Sequence, residues 1–127
     1  MKEQELFDYL KVNKFADLVR SNSVYDSFDC LTTEHNLYIE LKCRYKHYPE
    51  LLIEKFKYNK LIAEAKGRNM KPWYINSTPN GKWAFDLSVI PEPTWSSELM
   101  PATTEFNNTS KVFKTVGFLC LKQGQEI

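Results

Sequence analysis

The sequence predicts a mixed α/β fold (an α+β mixed sheet), with a central mixed β-sheet flanked by helices. Three observations carry that expectation. Two aromatic and β-branched strand pairs, 24–33 with 37–43 and 72–78 with 82–88, are each joined by a short turn. A stretch of strong helix formers, 50–66, lies between them. The order strand–helix–strand over 37–78 fits a right-handed crossover between parallel strands.

Residues 3–12 predict a helix, with Leu6, Tyr9 and Leu10 on one stripe and charged flanks. In 13–22, Phe15, Leu18 and Val19 are candidates for burial. The strands 24–33 and 37–43 enclose Glu34-His35-Asn36, a loop short enough to force an antiparallel hairpin. Pro49 suits the first position of a helix over 50–66, and Gly67 suits its stop. That helix carries two polar stripes, Lys57, Lys60 and Glu64 on one, Lys55, Asn59 and Lys66 on the other, narrower one. Such a helix is buried on two sides or turns one stripe to a cleft. Pro79-Asn80-Gly81 is a hairpin turn signal. Prolines 91, 93 and 101 predict an irregular connection, and 111–121 predicts a final strand.

A chain of 127 residues suits one domain, 1–127, with a real core. No apolar run approaches the ~20 residues of a membrane-spanning helix, so no membrane partner is expected. Cys30, Cys43 and Cys120 lack metal-type spacing and read as free thiols in a reducing, cytoplasmic compartment. The net charge of +1 hides a pattern. Residues 1–41 hold four bases and eight acids, 42–71 nine bases and three acids, and 72–127 four bases and five acids. A basic middle segment in a balanced chain suits a localised anion-binding surface or a solvated helix face.

The chemistry concentrates in the first hairpin. With His35 and Asn36 as a two-residue loop, Asp29 pairs with Lys42 and Leu31 with Glu40, which puts Asp29, Glu40 and Lys42 on one face. A three-residue loop would bring Cys30 opposite Glu40, and a bulge could bring in Asp26. Two carboxylates in close proximity need a proton or cation between them. Hard oxygen ligands favour Mg²⁺. A neighbouring lysine can orient a water and stabilise charge on a phosphoryl group. Glu-x-Lys alone is unspecific, since Glu64-Ala65-Lys66 is a second copy in the predicted helix. Only Glu40-Leu41-Lys42 lies in a strand, across a turn from an acid-bearing strand.

An acidic N-terminal helix, an Asp-bearing strand, a strand ending in hydrophobic-Glu-x-Lys, a crossover helix and a further strand resemble the PD-(D/E)XK, restriction-endonuclease-like, nuclease superfamily. The resemblance covers about residues 3–88, leaving 89–127 as a C-terminal extension, and is to small phage-type or Holliday-junction-resolvase-like members. It implies a Mg²⁺-dependent DNA endonuclease, with Mn²⁺ as substitute, in which Asp29 or alternatively Asp26 supplies the motif aspartate. Glu40 and Lys42 would be the (D/E)XK pair, with metal held by Asp29, Glu40 and the Leu41 carbonyl. Glu5, or else Glu3, would be the first-helix glutamate. Lys55, then Tyr58, would approach the scissile phosphate from the crossover helix, while Arg44 and Lys46 contact phosphates. DNA is the implied partner, a homodimer is an option because two cuts need two sites, and host cytoplasm is an option for a phage protein. Phe28 stands where the motif has proline. The competing reading is a catalytically silent nuclease fold that binds DNA or protein, with Asp29, Glu40 and Lys42 as a cross-strand ion pair on a solvated sheet.

Overall fold

The computed structural model describes residues 1–21, 27–102 and 109–127. The chain begins with helix α1 (Glu3–Asn13) and continues through strands β1 (Val19–Arg20), β2 (Phe28–Thr32), β3 (Leu37–Cys43) and β4 (Glu50–Glu54). Helix α2 (Lys55–Gly67) leads to β5 (Lys71–Thr78) and β6 (Gly81–Asp86). Then come β7 (Ser96–Pro101), β8 (Lys111–Cys120), a short 3-10 turn at Leu121–Gln123, and β9 (Gln125–Glu126).

Six strands form the main sheet, in the order β1-β2-β3-β5-β6-β9, and β4-β8-β7 form a second, smaller one. β3 and β5 run parallel, as the crossover predicts, and the other pairs of both sheets are antiparallel. The mixed sheet with flanking helices is the fold class read from the sequence.

The main sheet is covered on both faces. Leu6, Leu10, Phe15 and Leu18 pack on one face against Cys30, Ile39, Leu41 and Ile75. On the other face, Tyr58, Leu61 and Ala65 of α2, with Leu51, Ile53 and Leu119 of the small sheet, pack against Tyr38, Tyr74 and Phe85. The polar parity of β3 therefore enters the interior too: Tyr38 and Glu40 are both buried.

The segment 50–54 is a strand, where a helix was expected. Leu51 and Ile53 are each 1% exposed while Leu52 is partly open, and the whole segment pairs with β8 from Val116 to Cys120. Its residues have adequate helix propensity, but a small sheet edge recruits them, and tertiary pairing overrides propensity. Pro49 starts no helix; its carbonyl accepts a hydrogen bond from Leu121 N at 3.0 Å. Helix α2 consequently starts at Lys55. Gly67 is its last residue rather than its stop, and left-handed Asn69 (φ 56°) follows the end. Strand β7, in the proline-flanked tail, was not expected. The β5–β6 turn at 79–81 follows the sequence signal, with Gly81 at φ 151°.

The hairpin register also differs. β2 stops at Thr32 and β3 starts at Leu37, so the loop has four residues and Asp29 lies opposite Glu40 rather than Lys42. Asp17 makes that loop. Its carboxylate accepts from Thr32 Oγ1 at 2.5 Å, Thr33 Oγ1 at 3.3 Å and Glu34 N at 3.0 Å, and these bonds hold its pKa below the usual aspartate value. Asn36 closes the turn with φ 58°. A shift of two residues conserves side-chain parity, so Asp29 and Glu40 share the face beneath α2.

Candidate active site

Asp29 on β2 and Glu40 on β3 are direct cross-strand neighbours, 1% and 3% exposed. Among the described residues, three groups hold Asp29. Ser27 Oγ donates to Oδ1 at 3.1 Å, Tyr38 OH donates to Oδ2 at 3.2 Å, and Lys60 Nζ donates to Oδ2 at 3.0 Å. The Tyr38 hydroxyl also meets Ser21 Oγ at 3.0 Å, and burial pushes its pKa up to about 12, so it remains a donor.

Glu40 is less well served. Its Oε1 has no hydrogen-bond partner among the described residues, and the nearest cation is the Lys60 ammonium at 3.7 Å. Burial and then the charge of Asp29 push Glu40 up to about 7, against the pull of Lys60, Lys57 and Lys42. A buried carboxylate oxygen without a donor, beside a second carboxylate, suits a hard divalent cation. The donor set present fits such an ion.

Glu40 lines a polar cleft of about 400 Å³, walled also by Glu3, Arg20, Lys42 and Lys57 among others, and Asp29 lies behind it with no exposed side-chain surface. Lys42 is partly buried, two residues beyond Glu40 on the same face. Burial first, then the positive charges of Lys57 and Arg44, lower its pKa. Arg20 stacks on Phe28 with 3.5 Å from guanidinium carbon to ring centroid.

Similarity to known proteins bears on this arrangement. No family model and no curated protein matches the chain. Among solved structures, it is similar to Hjc of Archaeoglobus fulgidus, a Holliday junction resolvase from an archaeal hyperthermophile. The TM-score is 0.61 at 18% identity, over 98% of this chain and 88% of that one. The chain shares the fold of that protein. That resolvase is a PD-(D/E)XK nuclease superfamily member, and its fold is the one expected from the first hairpin.

Within this fold, the sequence-predicted residues separate. Glu40, Leu41 and Lys42 line the cleft, with Asp29 buried directly opposite Glu40. Asp26 lies outside the described residues. Glu5 does not face the cleft; its carboxylate caps α1 by accepting from Lys2 N at 3.0 Å, and Glu3 lines the cleft instead. Lys55 faces a different cleft, with Asn59 and Lys114, and lies 5.9 Å over the Trp95 ring. Tyr58 is a core residue, edge-on to Trp95 at 5.3 Å. Arg44 binds the fold together: it donates to Asn76 Oδ1 at 2.7 Å, Tyr74 OH at 3.1 Å and the Leu52 carbonyl. Lys46 is exposed in the loop after β3.

Lys60, Ser27 and Tyr38 were not singled out from the sequence. Helix α2 presents Lys60, from the Lys57–Lys60–Glu64 stripe and not the Lys55 stripe, to the carboxylates. A second group of potential ligands, Asp17, Glu34 and His35, lies within 4.8 Å at the hairpin turn. Its carboxylate Asp17 already serves the turn. Trp73 and Trp83 pack against Phe15 and His47. Among the described residues, no helix is long and apolar enough to cross a membrane.

Proposed function

We propose that the chain is a divalent-metal-dependent endonuclease that hydrolyses phosphodiester bonds in branched DNA. One observation carries this reading: two buried carboxylates lie side by side on a hairpin, and one of them, Glu40, lines a cleft together with Lys42 and Lys57. A solvated cross-strand ion pair would leave these acids exposed, and both are interior. The four-way junction as substrate rests on the structural neighbour, a resolvase.

Asp29 and Glu40 would hold Mg²⁺, or Mn²⁺ in its place, together with the Leu41 carbonyl. When bound, the ion supplies Lewis-acid charge at the phosphoryl group and lowers the pKa of its water. Glu40 is a competent ligand only after losing the proton that its burial favours, so activity should rise through about pH 7. Lys42 orients the attacking water and sets positive charge against the negative charge that develops on the phosphoryl oxygens. Its lowered pKa eases proton exchange with that water. Lys57, Arg20 and Lys2 line the cleft as contacts for the phosphate backbone, which position the DNA without reading bases. Symmetric resolution of a junction takes two such sites, so the working form is a homodimer, acting in the cytoplasm.

End analysis of products tests the chemistry. Incubation with Mn²⁺ should yield 5′-phosphate and 3′-hydroxyl ends, and excess chelator should stop the reaction. Products with 3′-phosphate ends would contradict the scheme.

A further inference from the structure

Lys60 enters the carboxylate pair from above, out of α2. Its ammonium lies 3.0 Å from Asp29 Oδ2 and 3.7 Å from Glu40 Oε1, and donates to Ser27 Oγ as well. The side chain is 6% exposed. Lysine is almost never so deeply buried unless it is paired, and among the described residues its partners include both acids of the site. A divalent ion binds carboxylate oxygens at about 2.0–2.1 Å. An ion held by both acids would therefore occupy the space in which the ammonium sits. Two cations cannot share it, because like charges repel most strongly where water is excluded. One helical turn back on the same stripe, the partly buried Lys57 lines the open cleft and marks the direction in which a long side chain can leave.

We propose that Lys60 is an internal counter-cation, which offsets part of the negative charge of the Asp29–Glu40 pair in the metal-free protein and withdraws toward the cleft when a divalent cation binds. The inference rests on the nuclease reading of this pair and deepens it. It makes Lys60 a positioning residue: metal binding is an exchange of one cation for another, and the lysine's occupancy weakens the metal's apparent affinity. In its metal-free state the fold depends on the lysine, because the two buried acids would otherwise face each other without a counter-charge.

Calorimetric titration of the full chain with Mn²⁺, without DNA, tests this on three proteins: the unaltered chain, Lys60→Met and Glu40→Gln. The unaltered chain should bind an ion that Glu40→Gln loses. Lys60→Met should bind it at least about tenfold more tightly, as expected on removing a unit charge beside the ion. Lys60→Met should also melt at lower temperature in chelator, and saturating Mn²⁺ should close that gap. A merely structural lysine predicts the opposite sign, weaker binding from a loosened site. Equal or weaker binding by Lys60→Met, with binding still lost in Glu40→Gln, overturns the role of Lys60 alone. Equal binding by the unaltered chain and Glu40→Gln overturns the nuclease reading, and the Lys60 inference with it. The unaltered protein provides a second measurement that needs no variant to fold. Acetylation of Lys60, followed by mass spectrometry, should be severalfold faster with Mn²⁺ than with chelator, and an unchanged rate overturns the proposal.

Discussion

Replacing Glu40 with glutamine should stabilise the metal-free protein at alkaline pH. The carboxyl is buried next to Asp29, and its pKa rises from 4.5 to about 7. Proton linkage sets the sign. A raised folded-state pKa contributes stability that is fully present below the unfolded value of 4.5 and is lost as pH rises through about 7. At pH 8.5 the native protein therefore bears a penalty of about 3 kcal/mol, at about 1.4 kcal/mol for each pKa step. Glutamine is nearly isosteric and cannot ionise, so Glu40→Gln escapes that penalty. For a domain of this size each kcal/mol moves Tm by roughly 3–5 °C, so the variant should melt about 10 °C higher at pH 8.5 in chelator. At pH 4.5 the two proteins should melt within a few degrees of each other. Differential scanning calorimetry across pH 4.5–8.5, with chelator throughout, measures both. A stability difference independent of pH would refute the account of Glu40 as a carboxyl strained by burial and by Asp29.

Three further outcomes follow from single residues. Lys42→Ala should lower the cleavage rate by about 10²–10³, the effect of removing one donor to developing charge, while urea unfolding shifts by under about 0.5 kcal/mol, as for a partly exposed side chain. Arg44→Met should do the reverse. Loss of its bonds to Asn76, Tyr74 and Leu52 should cost about 2–3 kcal/mol in the same unfolding assay, and a stability loss below about 0.5 kcal/mol would show that it does not hold β3 to β4 and β5. Gly117→Ala should destabilise by about 1–3 kcal/mol through overpacking, because a Cβ there would lie 2.7 Å from Pro93 Cβ and 3.0 Å from the Trp95 ring; an unchanged urea midpoint would count against this packing of the β7 approach on β8.

The parts of the fold that were legible depend on local pattern. The alternation in 37–43 gives β3 to the residue, and Pro79-Asn80-Gly81 gives the β5–β6 hairpin. The crossover to a parallel β5 follows from chain length and handedness. What was not legible depends on distant partners. Leu51-Leu52-Ile53 suits a helix or a strand, and only β8, some sixty residues on, makes it a strand. The hairpin register was off by two because Asp17, outside the hairpin, sets the loop. Since an even shift keeps parity, the pairing of Asp29 and Glu40 on one face survived the error. The choice of helix lysine did not: α2 packs on the sheet so that Lys60 reaches the acids, while Tyr58 enters the core and Lys55 lines another cleft.

The most direct test of the central claim is cleavage of a synthetic four-way DNA junction by the purified chain in Mn²⁺, beside Glu40→Gln under the same conditions. The account predicts paired nicks near the branch point by the unaltered protein and none above background by the variant, which is expected to be folded. Equal cleavage by both proteins, or no cleavage by the unaltered protein on junction, duplex or single-stranded DNA, would contradict it.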